Sequence, residues 1–316
     1  MLSRGILTGS AALALVAALL PFVRRAALRL NLFDQPGPLK IHSEPIPRVG
    51  GVAMTLGLLA GVLFSAGQAQ SATAPFVASL LLIWVVGLWD DVRGLPPAFR
   101  LVAQLAAALL LVTTGFVGMI ATAGVAFQFG ACLFIVVFIN AFNFLDGSDG
   151  VAAGVAAVIA LGYVLLNGGS AASLGGQVAW ALLGSSIGFL VSNFPPAKIF
   201  MGDCGSTTLG FVIAFLGLDY YSAGDSRSSR LLVPLLFAGL PLLDFGLAVL
   251  RRLNRRASLF AGDRQHLYDL LLQRGWSQRK VAISFYITTG LLLVSGLLCS
   301  SAGQRCWSEL IADLLF

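Results

Sequence analysis

"NAFNFLDGSDG", residues 140–150, joins an apolar run to two aspartates, Asp146 and Asp149, set among two asparagines and two glycines. A second apolar run follows at once. The carboxylates therefore punctuate two hydrophobic segments of roughly the length that crosses a bilayer. An aspartate at the centre of a membrane helix costs about 2.5–3.5 kcal/mol, so this pair reaches water or holds a positive group. The stretch marks a membrane–water boundary.

Composition agrees. Of 316 residues, 58% are apolar and 11% charged, with a mean hydropathy of +0.89; soluble domains carry about 25% charged residues. Apolar runs recur without the alternation of a barrel. The expected fold class is an all-α polytopic membrane protein, a single domain over 1–316. Ten spans are expected, near 5–23, 50–66, 75–89, 99–117, 130–145, 151–168, 177–194, 207–222, 231–250 and 281–299. The fifth and sixth, parted only by the quoted motif, also read as one broken helix. Arg4 precedes the first span and Arg24, Arg25 and Arg29 follow it, the reverse of a secretory leader. That polarity puts the N-terminus outside.

The inner loops are then 24–49, 90–98, 146–150, 195–206 and 251–280. Counting Arg100 at the mouth of the fourth span, they collect every lysine and arginine except Arg4, Arg227, Arg230 and Arg305, as the positive-inside tendency requires. Asp34, Glu44, Asp90, Asp91, Asp146, Asp149, Asp203, Asp263 and Asp269 fall on the same side. The basic run "RRLNRR" reads as topology-setting or headgroup-facing, and no nucleic-acid partner is expected. Four cysteines without a CxxC pair, and only two histidines, point away from zinc and haem. Cys299 and Cys306 are close enough in sequence to pair in an oxidising compartment.

Taken singly, each polar cluster has a plain explanation. Asp90 and Asp91 in "LWDDVRG" suit a solvated helix end beside Arg93. Asp149 suits an N-cap of the sixth span. "NFLDGSDG" lacks the acids of a calcium loop, and Gly147 and Gly150 admit a ligand close to the backbone. In "SNFPPAKIFMGDCGSTTLG", 192–210, the prolines stop the seventh helix, Ser206 or Thr207 suits a cap of the eighth, and that helix start is a ready phosphate site. Residues 263–275 suit a short amphipathic helix with Leu267, Leu270 and Leu271 on one side. Together the clusters say more. Five carboxylates, the amides Asn143 and Asn193 and many cations meet one membrane face. Carboxylates without thiols suit a hard cation, Mg²⁺ or Mn²⁺, and the cations suit phosphates. The combination fits phosphoryl transfer at a membrane surface.

"KIHSEPIPRVGG", "WDD", "NAFNFLDGSDG", "NFPPAKIFMGDCGS" and "DRQH" occur in that order between about 33 and 270. In this the chain resembles the polyprenyl-phosphate N-acetylhexosamine-1-phosphate transferases. The resemblance implies an enzyme of the bacterial inner membrane with its site facing the cytoplasm. It would pass HexNAc-1-phosphate from a UDP-N-acetylhexosamine to a polyprenyl phosphate such as undecaprenyl phosphate, releasing UMP, to begin a surface polysaccharide such as O-antigen or exopolysaccharide. By the same resemblance Asp203 is the leading magnesium ligand, with Asp149 joining it. Asp90 and Asp91 lie close to the carrier phosphate, and Asp146 and Asp149 help hold nucleotide and metal. Asn143 and Asn193 are nucleotide-site amides, and Phe200 stacks on uracil. Lys40, Arg264 and His266 contact diphosphate or sugar, with loop 251–280 as the sugar-recognition element. Direct attack by the carrier phosphate, with Asp90 as base, and an aspartyl phospho-enzyme both stay open, with direct attack favoured; so does a homodimer.

The match is incomplete where pentapeptide transferases carry three histidines. Here "DRQHLYDLL" keeps only His266, which argues against a peptidoglycan role. Three rival readings stand beside the enzyme: a transporter, a membrane phosphotransferase acting on CDP-linked alcohols (whose aspartates gather in one stretch rather than three separated loops), and a carrier-binding relative without turnover. The transporter draws on Asp244, an acid inside the ninth span. Acids gathered in same-side loops favour the enzyme, leaving Asp244 as an auxiliary residue near the carrier groove or a helix-packing partner.

Overall fold

The computed structural model describes residues 2–35, 37, 44–65, 73–114, 124–223, 227–258 and 264–300. Lys40, His42, Asp263 and Cys306 lie outside them. Among these residues the chain forms α1 (Leu2–Arg29), β1 (Phe33–Asp34), β2 (Ile46–Pro47), α2 (Gly51–Ser65), α3 (Thr73–Arg93), α4 (Pro97–Thr113), α5 (Val125–Leu145), α6 (Val151–Leu166), α7 (Leu174–Asn193), α8 (Gly202–Ser222), α9 (Arg227–Phe237), α10 (Gly239–Asn254), α11 (Leu267–Gln273) and α12 (Gln278–Cys299). The strands pair antiparallel, Phe33 opposite Pro47, a small exception to an otherwise helical chain.

This is a polytopic membrane protein. A helix stands at each of the ten expected places. Five (α1, α3, α5, α7 and α12) are long and apolar enough to cross a membrane, and six if α9 and α10 count as one span. Three more, α2, α4 and α6, are apolar but have 15, 17 and 16 residues, roughly 22–26 Å at 1.5 Å per residue. The quoted motif divides two helices rather than kinking one. The expected ninth span is broken: α9 and α10 meet at 76°. Pro234 interrupts the hydrogen-bonding of α9, and Pro241 falls in the first turn of α10, where a missing N–H costs nothing.

Punctuation elsewhere follows local chemistry. Gly94, at φ +68°, closes α3 and donates its N–H to the Asp90 carbonyl. Pro97 opens α4. Ser173 and Ser277 cap α7 and α12 by accepting from Gly176 N and Lys280 N.

The core is organised around α8, buried along most of its length and packed by α2, α3, α5 and α7. Two contacts at its first turn leave no room for side chains. A Cβ on Gly51 would lie 2.3 Å from Gly205 N, and one on Gly87 would lie 2.8 Å from Cys204 N. Backbone therefore rides on backbone where α2 begins and α3 ends, which sets the carboxylates of α3 against the start of α8.

Candidate active site

Asp91 decides the local geometry. Its Oδ1 accepts from Asp203 N at 2.8 Å and its Oδ2 from Cys204 N at 3.0 Å. A carboxylate from α3 thus satisfies two of the orphan donors of α8 and complements its dipole. Gly202, at φ +73°, makes the turn, and a Cβ there would lie 2.5 Å from Asp91 Oδ2. Two sequence expectations change. Ser206 and Thr207 are not the caps, because the helix starts earlier, at Gly202. The helix start is also no open phosphate site, since Asp91 already fills it.

Asp90 sits beside it. Leu95 N donates to Oδ1 at 2.6 Å and Arg100 Nη1 to Oδ2 at 2.8 Å. The same Arg100 nitrogen lies 3.6 Å from Asp203 Oδ2, so one guanidinium bridges two of the carboxylates. Arg48, led in by β2, donates Nη2 to the Asp91 carbonyl at 2.7 Å and pairs with Asp34 at 3.7 Å. Asn143 Nδ2 donates to Asp203 Oδ1 at 2.5 Å and to Ser206 Oγ at 3.1 Å.

A second layer holds the loops. Asp149 Oδ2 accepts from Ala197 N at 2.9 Å, whereas Gly150, at φ +72°, is the N-cap position of α6; the Asp149 cap is corrected accordingly. Asn193 accepts from Gly150 N through Oδ1 and donates through Nδ2 to the Ile199 carbonyl, both at 3.0 Å. Tyr286 Oη donates to the Gly150 carbonyl at 2.7 Å, and Arg279 Nε to the Pro195 carbonyl at 2.9 Å. Five loops far apart in sequence meet here.

His266 comes from the last of them. Its Nδ1 lies 2.7 Å from Asp244 Oδ2, and Leu267 N donates to Asp244 Oδ1 at 2.7 Å. Asp244 is 1% exposed, so this buried acid of α10 fixes both the histidine and the start of α11. The His266 ring stacks on Tyr268, 5.4 Å between centroids, and meets Phe144 edge-on. Tyr268 in turn covers Gly147, where a Cβ would collide with its ring. Within α11, Leu267 and Leu271 pack on the core but Leu270 is exposed, so only two of the three expected leucines face inward.

A cavity of about 730 Å³ joins these parts. Asp34, Asp90, Asp91, Asp146, Asp149 and Asp203 line it, as do Asn143, Asn193, Phe200, Arg252 and His266. Its far wall is aliphatic, with Leu101, Leu133, Val136 and Val249. Arg264 is not in the wall; its Nε lies 3.8 Å from Asp269 Oδ1 at a partly exposed position. Burial, followed by the Asp203, Asp91, Asp149 and Asp34 charges, pushes the Asp146 carboxyl well above the usual carboxylate range. Burial also raises Asp269, against the opposing help of the His266 N–H, His266 and Arg264.

Crowded carboxylates of this kind ask for a cation. Among the described residues no three His, Cys, Asp or Glu side chains come together as a ready-made metal cage. Mg²⁺ does not need one: it commonly takes one or two carboxylates together with substrate phosphates and water. Asp203, with a side chain 28% exposed, and Asp146 fit that need. Asp149 has one oxygen committed to Ala197 N.

Sequence reasoning counted Arg48 and Arg100 only as inner-loop cations, gave Tyr268 no role in the site, and gave Asp244 no partner. Arg100 is the one with a visible signal: a cation in the first turn of a helix that follows two acids by a short Gly–Pro turn.

Residues 73–221 match the glycosyl transferase family 4 model. The chain is 31% identical over 296 residues to a probable undecaprenyl-phosphate N-acetylglucosaminyl 1-phosphate transferase of Bacillus subtilis, covering 89% of this chain and 81% of the relative. It is 33% identical to a decaprenyl-phosphate N-acetylglucosaminephosphotransferase of Mycobacterium tuberculosis, covering 85% and 76%. To the undecaprenyl-phosphate alpha-N-acetylglucosaminyl 1-phosphate transferase of Escherichia coli it is 26% identical, covering 88% and 79%. With matches of this extent, the chain belongs to glycosyl transferase family 4 and is a sugar-1-phosphate transferase of a membrane.

Proposed function

We propose that the protein transfers GlcNAc-1-phosphate from UDP-GlcNAc to a polyprenyl phosphate, giving polyprenyl-diphosphate-GlcNAc and UMP, as the first step of a surface polysaccharide. The observation that carries this is the cavity itself: carboxylates and cations at one end, an aliphatic wall at the other, as a lipid phosphate and a nucleotide diphosphate together require. All three relatives above are named for GlcNAc. The ten helical places are read as ten spans, N-terminus outside, with the cavity on the cytoplasmic side of a bacterial inner membrane.

In this reading an oxygen of the carrier phosphate attacks the β-phosphorus of the donor. A new P–O bond forms, the bond to UMP breaks, and UMP leaves with the electron pair. Mg²⁺, held by Asp203 and Asp146, would supply charge neutralisation for the diphosphate. Arg100, placed between Asp90 and Asp203, steadies the incoming phosphate. Asp90, already hydrogen-bonded to Arg100 and Leu95 N, orients that guanidinium. Asp91 and Asp149 position the start of α8 and the 195–200 loop. Phe200 offers a ring to the uracil, and Asn193 holds the loop on which that ring sits. His266, fixed by Asp244, faces the sugar from loop 251–280. Lys40 joins from outside the described residues.

The test is UMP release by purified protein given undecaprenyl phosphate, Mg²⁺ and a panel of UDP-HexNAc donors. Turnover with UDP-GlcNAc that stops on chelation is expected. Binding of undecaprenyl phosphate without turnover of any donor would overturn the assignment in favour of a carrier-binding relative.

A further inference from the structure

Below the charged end of the cavity, the wall between α4 and α5 is aliphatic except for one polar rung. Asn140 Nδ2 donates to Gln104 Oε1 at 2.7 Å and to the Val136 carbonyl at 2.8 Å. Gln104 is 6% exposed, and both residues line the cavity. Helical spacing sets the depth of the rung. Gln104 follows Arg100 by one turn on α4, and Asn140 precedes Asn143 by one turn on α5. Residues so spaced share a helix face. The rung therefore continues the faces whose outer members touch Asp90 and Asp203.

A bond between helices accounts for half of this chemistry. Such bonds average about 0.6 kcal/mol in membranes, and this one uses the Gln104 oxygen and the Asn140 nitrogen. The Gln104 amide nitrogen and the Asn140 amide oxygen have no partner among the described residues, and neither is sealed from the cavity. A prenyl chain filling the cavity would expel its water, and an amide then left without a partner costs about 1–3 kcal/mol. Unused amide groups on a lipid-facing wall call for a ligand with a hydrogen-bonding atom at that depth.

We propose that Gln104 and Asn140 form a positioning rung for the lipid acceptor. The Gln104 amide donates to a phosphate oxygen of the polyprenyl phosphate on the side where the prenyl chain begins. It thereby sets how deeply the phosphate lies beside Arg100 and Asp203. The inference rests on the polyprenyl-phosphate reading given above. A neutral donor suits the position, because a second cation one turn further into the apolar passage would be costly. Phe200 and Asn193 stand on other elements, and Asn143, though one turn along on α5, gives its Nδ2 to Asp203 and Ser206 rather than to the rung, so a change at Gln104 is expected to spare sugar-nucleotide binding.

The substitution Gln104→Glu keeps an acceptor for Asn140 Nδ2 and replaces the amide donor by a carboxylate oxygen. Gln104→Met keeps the volume and removes both groups, and supplies the reading should the first variant fail to fold. Affinities for undecaprenyl phosphate and undecaprenol are measured by thermal shift of purified full-length protein, beside KM values from UMP release. Both variants are expected to bind undecaprenyl phosphate at least tenfold more weakly, with undecaprenol affinity and the KM for UDP-GlcNAc within twofold of wild type. Equal weakening of phosphate and alcohol, or weakening of neither, overturns the proposal and leaves the rung as a bond between helices. Wild-type protein that binds undecaprenyl phosphate but turns over no UDP-HexNAc defeats the transferase reading alone, since the binding comparison still decides the rung.

Discussion

Gly202 shows how little freedom single residues have here. Its φ of +73° and the 2.5 Å approach of a would-be Cβ to Asp91 Oδ2 leave alanine nowhere to go. Gly202→Ala is expected to cut UMP release at least tenfold and destabilise the protein by about 1–3 kcal/mol, read by thermal unfolding; full activity at unchanged stability would contradict the cap geometry. Asp146 is the opposite case. Its charge is disfavoured by burial and by four neighbouring acids, so the folded protein without a cation gains by losing it. Asp146→Asn should raise the unfolding temperature in chelator while lowering turnover at least a hundredfold, and a fall in both quantities would point to a structural role. The sequence already marked Asp146, Asp149 and Asp203 as boundary carboxylates, because charge in an apolar chain is conspicuous. It could not show that Asp91 caps α8, since a cap supplied from 112 residues away leaves no local pattern.

At the scale of elements, hydropathy located the helices but not their joints. The break between α9 and α10 depends on Pro234 and Pro241 acting together with packing from α12, and a sliding apolar window sees only one continuous run. Likewise α8 reads as an ordinary span, although burial on nearly every side makes it the axis of the bundle. The most informative joint links α10 to α11 through Asp244 and His266. Asp244→Asn retains an acceptor but removes the charge facing the ring. The expected result is roughly a tenfold higher KM for the UDP-sugar, with the KM for polyprenyl phosphate unchanged. A selective loss of carrier affinity would instead put Asp244 in the lipid passage.

On the scale of the molecule, five loops rich in acids and cations converge, and the cavity that their described residues line has two chemically different ends. In protein whose native cysteines Cys132, Cys204, Cys299 and Cys306 are replaced by serine, a cysteine introduced at the partly exposed Arg264 position should react with a membrane-impermeant maleimide in inverted vesicles and not in intact cells. Labelling in cells would reverse the proposed orientation. The 76° bend between α9 and α10 carries one more consequence. Beyond the bend, α10 lines the cavity with Phe245 and Val249, alongside Leu101 of α4 and Leu133 of α5, and the two leucines are exposed, so the cavity has an open apolar edge. A substrate that enters there never leaves the plane of the bilayer. The encounter is two-dimensional, and turnover should follow the mole fraction of carrier among surrounding lipids rather than its amount per volume. Diluting nanodiscs with inert phospholipid at fixed total carrier is expected to slow the reaction in proportion; diluting the same nanodiscs with buffer is not.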